Sequence, residues 1–138
     1  MKFKLTSTQN IICWTAQIIA AIIMFQTLFF KFTGAEESVY IFTKVGMEPI
    51  GRYGSGIAEL IASILLLVPS LCWIGATIGA GVMAGAILSH LTILGISVKD
   101  DGGYLFILAI ITLVCCLIVL FIRKHQIPFI NQLISPLS

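Results

Sequence analysis

Long runs of apolar side chains restrict the possible folds of this chain more than any other feature. The runs extend from Ile11 to Phe30, Tyr53 to Leu71, Trp73 to Val98 and Tyr104 to Ile122. As a helix, each is long enough to cross the roughly 30 Å hydrocarbon core of a bilayer. An isolated segment in lipid satisfies its backbone only as a helix, so the runs predict an all-α, integral membrane four-helix bundle. We expect one domain over residues 1–138, with transmembrane helices at about residues 11–31, 53–71, 73–98 and 104–123.

The composition supports lipid as the solvent. Charged residues make up 10% of the chain and hydrophobic residues 59%, whereas a soluble domain has roughly 25% charged residues. The net charge of +2, without a basic cluster interleaved with aromatic residues, gives no indication of nucleic-acid binding. The cysteines lack metal-ligand spacing, so no metal is predicted. The first apolar run is too long for the core of a signal peptide and predicts an uncleaved helix.

The connection between the first two runs contains signals for a short interfacial helix at about residues 35–45. Thr33 and Glu36 have the spacing of a capping box at its N-terminus. Lys44 suits the last turn, and Gly46 suits the position after it. We therefore expect an amphipathic helix at the membrane surface.

Several polar residues are predicted to meet in one half of the bilayer. Because successive crossings alternate in direction, the end of the first helix, the start of the second and the end of the third share one side. Lys31 lies at that end of the first helix, and Glu59 and His90 lie about 9 Å below the same surface. On the second helix, Arg52, Glu59 and Ser63 belong to one stripe of small and polar residues. Glu59 is therefore predicted to face protein.

Two states of Glu59 are compatible with these neighbours. It can be ionised against Lys31 or Arg52, or protonated and hydrogen-bonded to His90 or Ser63. One interpretation is a buried pair that fixes the register of the helices. The other is a ligand or proton site formed by Lys31, Glu59, His90, Arg52 and Ser63. We favour the ligand site because fixing the register of the helices does not require three kinds of ionisable group at one depth.

The opposite half of the bundle is predicted to hold the cysteines Cys13, Cys72, Cys115 and Cys116. Lysine and arginine residues divide equally between the two sides, but every acidic residue lies on the Glu59 side or in the second helix. This asymmetry favours both termini in the cytoplasm, where the thiols stay reduced. The tail, at about residues 130–137, has the spacing of a second interfacial segment.

A particular order of motifs runs from Phe29 to Leu91. The two pieces that carry it are FFKFTGAEESVYIFTKVGMEPIGRYGSGIAELIASILLLVP and GATIGAGVMAGAILSHL. They contain a lysine after the first helix, an interfacial segment ending in glycine, a Gly-x-x-Glu-Leu opening to the second helix, and an alanine-rich third helix that closes on histidine. The residues concerned are Lys31, Gly46, Gly56, Glu59, Leu60 and His90. In these features the chain resembles the DoxX family of small four-helix bacterial membrane proteins.

The resemblance implies a multi-pass protein of the bacterial cytoplasmic membrane with a connection to redox chemistry. The family takes its name from subunits associated with thiosulfate:quinone oxidoreductase and terminal quinol oxidase, and some relatives are linked to complexes that handle thiols and oxidative stress. The resemblance does not identify a reaction, so no catalytic residue is assigned. We expect a redox-associated subunit that binds a quinone or a small polar molecule in a pocket of Lys31, Glu59 and His90. Glu59 and His90 would exchange protons, and Lys31 or Arg52 would hold negative charge.

Two other functions are compatible with the same residues. The chain is alternatively a non-catalytic transporter or binder of a small solute or lipid. It is also compatible with a structural subunit whose glycine-rich third helix packs against a redox partner or a second copy of itself. No haem-ligand pair, flavin motif or nucleotide-binding loop occurs in the sequence.

Overall fold

The computed structural model describes residues 4–128, and within them the chain is helical with no β-strand. The α-helices are α1 (Ser7–Thr33), α2 (Glu36–Val45), α3 (Ile50–Leu66), α4 (Cys72–Ser89) and α5 (Tyr104–Ile122). A π-helical turn, His90–Leu94, continues α4, and a 3₁₀ turn, Lys124–Gln126, follows α5. The predicted all-α class is confirmed. The interfacial segment predicted at about 130–137 lies outside the described residues.

Three helices within residues 4–128 are long and apolar enough to cross a membrane. They are Ser7–Thr33, Cys72–Leu94 (α4 with its π-helical turn) and Tyr104–Ile122. α3 has 17 residues, which at 1.5 Å per residue is about 26 Å, somewhat less than the hydrocarbon core. The chain is therefore a multi-pass membrane protein, and a fourth crossing by α3 stays a prediction.

The second long helix lies nearer the N-terminus than predicted. We expected it at 53–71, whereas α3 begins at Ile50 and ends at Leu66. The early end has a local cause, because Pro69 disfavours helical geometry in the residue before it and lacks an N–H. The chain turns through residues 67–71 and enters α4.

The ends of α1 and α4 also differ from the prediction. α1 begins at Ser7, earlier than the predicted residue 11, because the side chains of Thr6 and Gln9 form a reciprocal capping box there. The regular part of α4 stops at Ser89, well before residue 98. The hydrogen-bonding pattern changes there to that of the π-helical turn, and Gly95, with a φ of 80°, follows it.

α2 is the helix predicted in the connection, but its N-terminus is built differently. The expected capping box of Thr33 and Glu36 is wrong: the N-cap residue is Ala35, and the Thr33 hydroxyl donates to the carbonyl of Phe29 within α1. A threonine near the end of a helix readily donates to the carbonyl one turn earlier. Gly46 ends α2 with a left-handed φ of 83°, as its position predicted.

The four long helices close into a ring in which α1 packs against α3 and α5, and α4 packs against α3 and α5. The α3–α4 contact is close because Gly75 has no side chain. A Cβ at that position would lie 2.7 Å from the backbone nitrogen of Leu66. Around this contact lies a core of small or apolar residues, with the polar side chains of Gln17 and Thr112 also buried; the core includes Cys13, Ala16, Ala20, Ala62, Leu66, Cys72, Cys116 and Val119.

Candidate functional site: a buried Lys31–Glu59 pair beside a large cavity

Glu59 lies inside the bundle with one carboxylate oxygen fully engaged. Its Oε2 accepts a hydrogen bond from Lys31 Nζ at 2.7 Å, and the Thr27 hydroxyl lies 3.1 Å from the same oxygen. The Glu59 side chain is 2% exposed. A nitrogen–oxygen distance of 2.7 Å is typical of a charge-assisted hydrogen bond. The inward orientation predicted for Glu59 is observed, and of the partners that the sequence left open for its carboxylate the structure has Lys31.

The second carboxylate oxygen of Glu59 is chemically available. Within residues 4–128, Oε1 has no hydrogen-bond partner, although Glu59 lines a large cavity. An unpaired carboxylate oxygen accepts a hydrogen bond from a ligand or takes up a proton. The site therefore combines a fixed ion pair with one acceptor that no residue in the described part of the chain satisfies.

Arg52 does not contact Glu59. Its guanidinium pairs with the carboxylate of Glu48, with Nη2 2.8 Å from Oε1, and lies 4.3 Å from the centre of the Tyr53 ring. Its Nη1 donates to the backbone carbonyl of Lys31. Arg52 thus ties the start of α3 to the end of α1 and is not part of the cavity wall. The expectation that Arg52 is an alternative cation for Glu59 is wrong, because both ends of its guanidinium are already used.

Ser63 is also separated from the cavity. Its hydroxyl donates to the backbone carbonyl of Glu59 at 2.7 Å, one turn earlier on the same helix. Serine in a helix commonly makes this bond, which satisfies a hydroxyl that would otherwise be buried alone. The structure thus does not support the predicted hydrogen bond between Ser63 and the Glu59 carboxyl group.

His90 is oriented by the chain that follows it. Its Nδ1 lies 2.9 Å from the carbonyl oxygen of Gly95, and its ring packs edge-on against Phe106 with 5.5 Å between ring centres. A carbonyl oxygen only accepts, so Nδ1 carries the hydrogen. In the neutral ring, Nε2 is then the acceptor that His90 offers to a ligand. The π-helical turn, which returns the chain to this ring, is a feature often found at functional sites.

Lys31, Glu59 and His90 line one cavity of about 750 Å³. All the long helices and α2 contribute to its wall. Most of the remaining lining residues are apolar, including Met24, Phe30, Ile41, Phe42, Val82, Met83, Leu105 and Leu108. The Lys31 ammonium also lies 5.7 Å from the centre of the Phe42 ring. The cavity is thus a largely apolar chamber, partly walled by α2, with a few polar groups in its lining.

Two polar partners of the site were not among the predicted site residues. Thr27, one turn before Lys31 on α1, contacts the Glu59 carboxylate, and Glu48 neutralises Arg52. Both lie at i, i+4 spacing from a residue already singled out, so the helical repeat contained the signal. No pattern in the sequence indicates that α2 forms part of the cavity wall, because this depends on where α2 packs against the other helices.

Asp101 caps α5 close to His90. Its Oδ1 accepts hydrogen bonds from the backbone N–H groups of Val98 and Gly103 at 3.0 and 2.8 Å, and Oδ2 accepts from Leu105 at 3.3 Å. Partial burial raises the pKa of Asp101, but the three hydrogen bonds from backbone N–H groups, with a smaller electrostatic contribution from His90, outweigh it, and the pKa lies below its ordinary value. The ionised carboxylate of Asp101 therefore stabilises the start of α5.

We expect the substitution Asp101→Ala to lower the free energy of unfolding by about 1 kcal/mol at pH 7. Because folding lowers the pKa of Asp101, its contribution is complete above the unfolded-state pKa, near 3.9, and is lost as the pH falls through the folded-state value. The free energy of unfolding of the unmodified protein and of the variant would be measured from pH 7 to pH 3. The difference between the two values should shrink below about pH 4. A difference that stays constant over this range would contradict the role of the charge.

Neither a metal site nor a disulfide occurs in the described part of the chain. No group of three His, Cys, Asp or Glu side chains within residues 4–128 is placed to hold a metal ion. Cys13, Cys72, Cys115 and Cys116 are free thiols and are buried. The candidate site of this protein therefore consists of the Lys31–Glu59 pair, His90 and the cavity beside them.

Comparison with known proteins places this site in a family. The DoxX family model matches residues 14–92, more than half of the chain. The matched segment runs from α1 into the π-helical turn and contains Lys31, Glu59 and His90. No curated protein and no solved structure matches the chain. The chain belongs to the DoxX family.

Proposed function

We propose that this protein is a redox-associated membrane subunit that binds a quinone, or a small polar molecule of similar size, beside Lys31, Glu59 and His90. The observation that supports it is the composition of the cavity, which has largely apolar walls and a volume of about 750 Å³, with Lys31, Glu59 and His90 among its ionisable lining side chains. Sites for small organic ligands typically have this size and composition. An amphiphilic molecule with a polar headgroup suits both parts of the wall.

The side chains have distinct roles in this proposal. The Lys31 ammonium donates to a headgroup oxygen and balances negative charge that develops there. Oε1 of Glu59 and Nε2 of His90 accept protons from headgroup hydroxyls or, once protonated, return them. Reduction of a quinone to a quinol consumes two electrons and two protons. Glu59 and His90 would transfer the protons, and a partner redox subunit would supply the electrons.

The substitution Glu59→Gln is expected to weaken quinone binding about tenfold or more, because it removes a charged acceptor while keeping the shape of the side chain. Binding of a short-chain quinone to the purified, full-length protein in lipid nanodiscs would be measured by calorimetry. Mass spectrometry of the same preparation would show whether a quinone copurifies.

Glu36→Gln is the matched control for this experiment. Glu36 undergoes the same carboxylate-to-amide change, but its side chain is 91% exposed and pairs with Lys99 at 3.1 Å, away from the cavity wall. The control should bind quinone as the unmodified protein does. Equal affinity in a folded Glu59→Gln protein, or an equal loss in Glu36→Gln, would contradict the proposal.

A non-catalytic binder of a lipid or small solute is the second candidate function. It is favoured over a transporter because the cavity beside Glu59 does not extend to the packed core residues Ala16, Leu66 and Cys116 in the other half of the bundle. In proteoliposomes, proton-coupled flux that disappears in Glu59→Gln would favour transport. A copurifying lipid without bound quinone would favour the lipid binder.

The charge distribution supports a place in a bacterial cytoplasmic membrane with both termini in the cytoplasm. Near the terminal ends of α1 and α5 lie Lys4, Arg123 and Lys124, and the sequence has no Asp or Glu before residue 36 or after residue 101. At the opposite end, three basic residues are paired with carboxylates: Lys31 with Glu59, Arg52 with Glu48 and Lys99 with Glu36. Excess positive charge on the terminal side is typical of cytoplasmic loops. A redox partner subunit or a second copy would then bind within or beside this membrane.

A further inference from the structure

A second cavity, of about 380 Å³, lies at the opposite end of the bundle from Glu59. Three of its lining side chains, Lys4, Arg123 and His125, are basic, and none of the described residues in its wall is acidic. The other lining residues are Leu5, Thr6, Ser7, Asn10 and Gln126. The cavity therefore presents positive charge and hydrogen-bond donors together, which is the chemistry that an anion requires.

Arg123 is the most constrained of these cations. It is 7% exposed, its Nε donates to Cys13 Sγ at 3.3 Å, and its Nη2 donates to Gln17 Oε1 at 3.4 Å. Neither acceptor is a carboxylate, and within residues 4–128 no acidic side chain pairs with this guanidinium. Burying a charge is costly unless an opposite charge compensates it. The described residues thus hold a buried cation at the cavity without supplying its counter-ion.

The position of the cavity indicates the kind of anion. Lys4 precedes the start of α1 at Ser7, and Arg123 follows the end of α5 at Ile122. Because α1 and α5 are long enough to cross the hydrocarbon core, we expect these helix ends to lie near its boundary with water, close to the phospholipid phosphates. We propose that this basic cavity binds a phosphate group at the membrane surface, carried either by an anionic lipid or by a soluble phosphate compound.

The residues present suit a phosphate. The guanidinium of Arg123 has N–H groups beyond the two that Cys13 and Gln17 accept, and these can donate to phosphate oxygens. Lys4 adds an exposed ammonium. Basic pockets near the ends of transmembrane helices bind anionic headgroups for this reason. The site is separate from the cavity at Glu59, so it does not depend on the quinone proposal.

The test uses the full chain in phosphatidylcholine nanodiscs with and without phosphatidylglycerol. Native mass spectrometry after transfer to a mild detergent measures which lipid the protein retains. We expect preferential retention of phosphatidylglycerol, reduced about fivefold by Lys4→Gln and by Arg123→Gln. Lys4 has an exposed side chain, so its variant tests the site even if Arg123→Gln does not fold.

Lys124→Gln is the matched control, because it removes the same charge next to Arg123 in the sequence. The Lys124 ammonium lies 4.7 Å from the centre of the Phe121 ring and does not line the cavity. Lipid retention should therefore be unchanged in this variant. A loss as large as that of Lys4→Gln, or retention that is unaffected by Lys4→Gln and Arg123→Gln, would overturn the proposal for a lipid.

Inorganic phosphate tests whether the ligand of this cavity is a soluble phosphate compound instead of a lipid. A rise in Tm on adding phosphate to the protein in phosphatidylcholine nanodiscs, absent in Lys4→Gln, would assign the cavity to a soluble phosphate compound. If the unmodified protein shows neither this rise nor a preference for phosphatidylglycerol, the cavity is not a phosphate site.

Discussion

Replacing Lys31 with methionine is expected to lower the free energy of unfolding by about 3–5 kcal/mol. Methionine keeps an apolar stem of similar length but removes the ammonium, whose Nζ lies 2.7 Å from Glu59 Oε2. The Glu59 side chain is 2% exposed, so water does not readily replace the lost partner. The remaining contact, from the Thr27 hydroxyl at 3.1 Å, supplies no charge. The variant therefore retains a buried carboxylate without its counter-ion.

Adding Glu59→Gln to Lys31→Met should recover most of this loss, because a neutral amide needs no counter-ion. Unfolding of both single variants and the double variant in mixed micelles completes a double-mutant cycle. Lys99→Met is the control, since the Lys99–Glu36 pair is exposed and exposed pairs contribute at most about 1 kcal/mol. Losses of the same size in Lys31→Met and Lys99→Met would contradict the role of burial.

The substitution Gly75→Ala is expected to lower the free energy of unfolding by about 1–3 kcal/mol. The added Cβ would lie 2.7 Å from the backbone nitrogen of Leu66 and 2.8 Å from the carbonyl oxygen of Ala62. Both atoms belong to the backbone of α3, which does not move aside as a flexible side chain would. α3 and α4 would have to separate, and the packing around Gly75 would be lost.

Gly81→Ala is the matched control on the same helix. A Cβ at Gly81 would meet no atom within 4 Å, and alanine favours a helix over glycine by up to about 1 kcal/mol. We expect this variant to unfold with unchanged or slightly higher free energy. If the two alanine variants had equal stability, the close approach of α4 to α3 at Gly75 would not be an important contact.

The class of fold and the orientation of Glu59 were predictable because both follow from a repeat along the sequence. Uninterrupted apolar runs exclude strands in lipid, and the 3.6-residue period puts Glu59 opposite the large apolar residues of α3. The structure agrees, with Ile57, Ile61 and Ile64 exposed and Glu59 buried. Helix ends were less predictable because they depend on single caps and turns, such as Thr6 before α1 and Pro69 after α3.

Parts of the site were predicted incorrectly although local rules would have corrected them. Arg52 and Glu59 are about two helical turns apart on α3, roughly 10 Å, so a direct ion pair was improbable. Arg52 has an acidic residue, Glu48, one turn before it, and Ser63 has a carbonyl one turn before it. Both side chains use these near partners, because a local bond costs less conformational entropy than a distant one.

The sequence by itself determined that this chain is an α-helical membrane protein, that Glu59 faces inward, and that Lys31 and His90 lie at the same end of the helix bundle as Glu59. Each of these follows from hydrophobic length, helical period or alternating direction. Only the tertiary structure decided that the carboxylate pairs with Lys31, that α2 walls the cavity, and that a carbonyl after the π-helical turn orients His90. These depend on the distances between helices and on one local change in backbone hydrogen bonding, and a pattern of apolar and polar residues specifies neither.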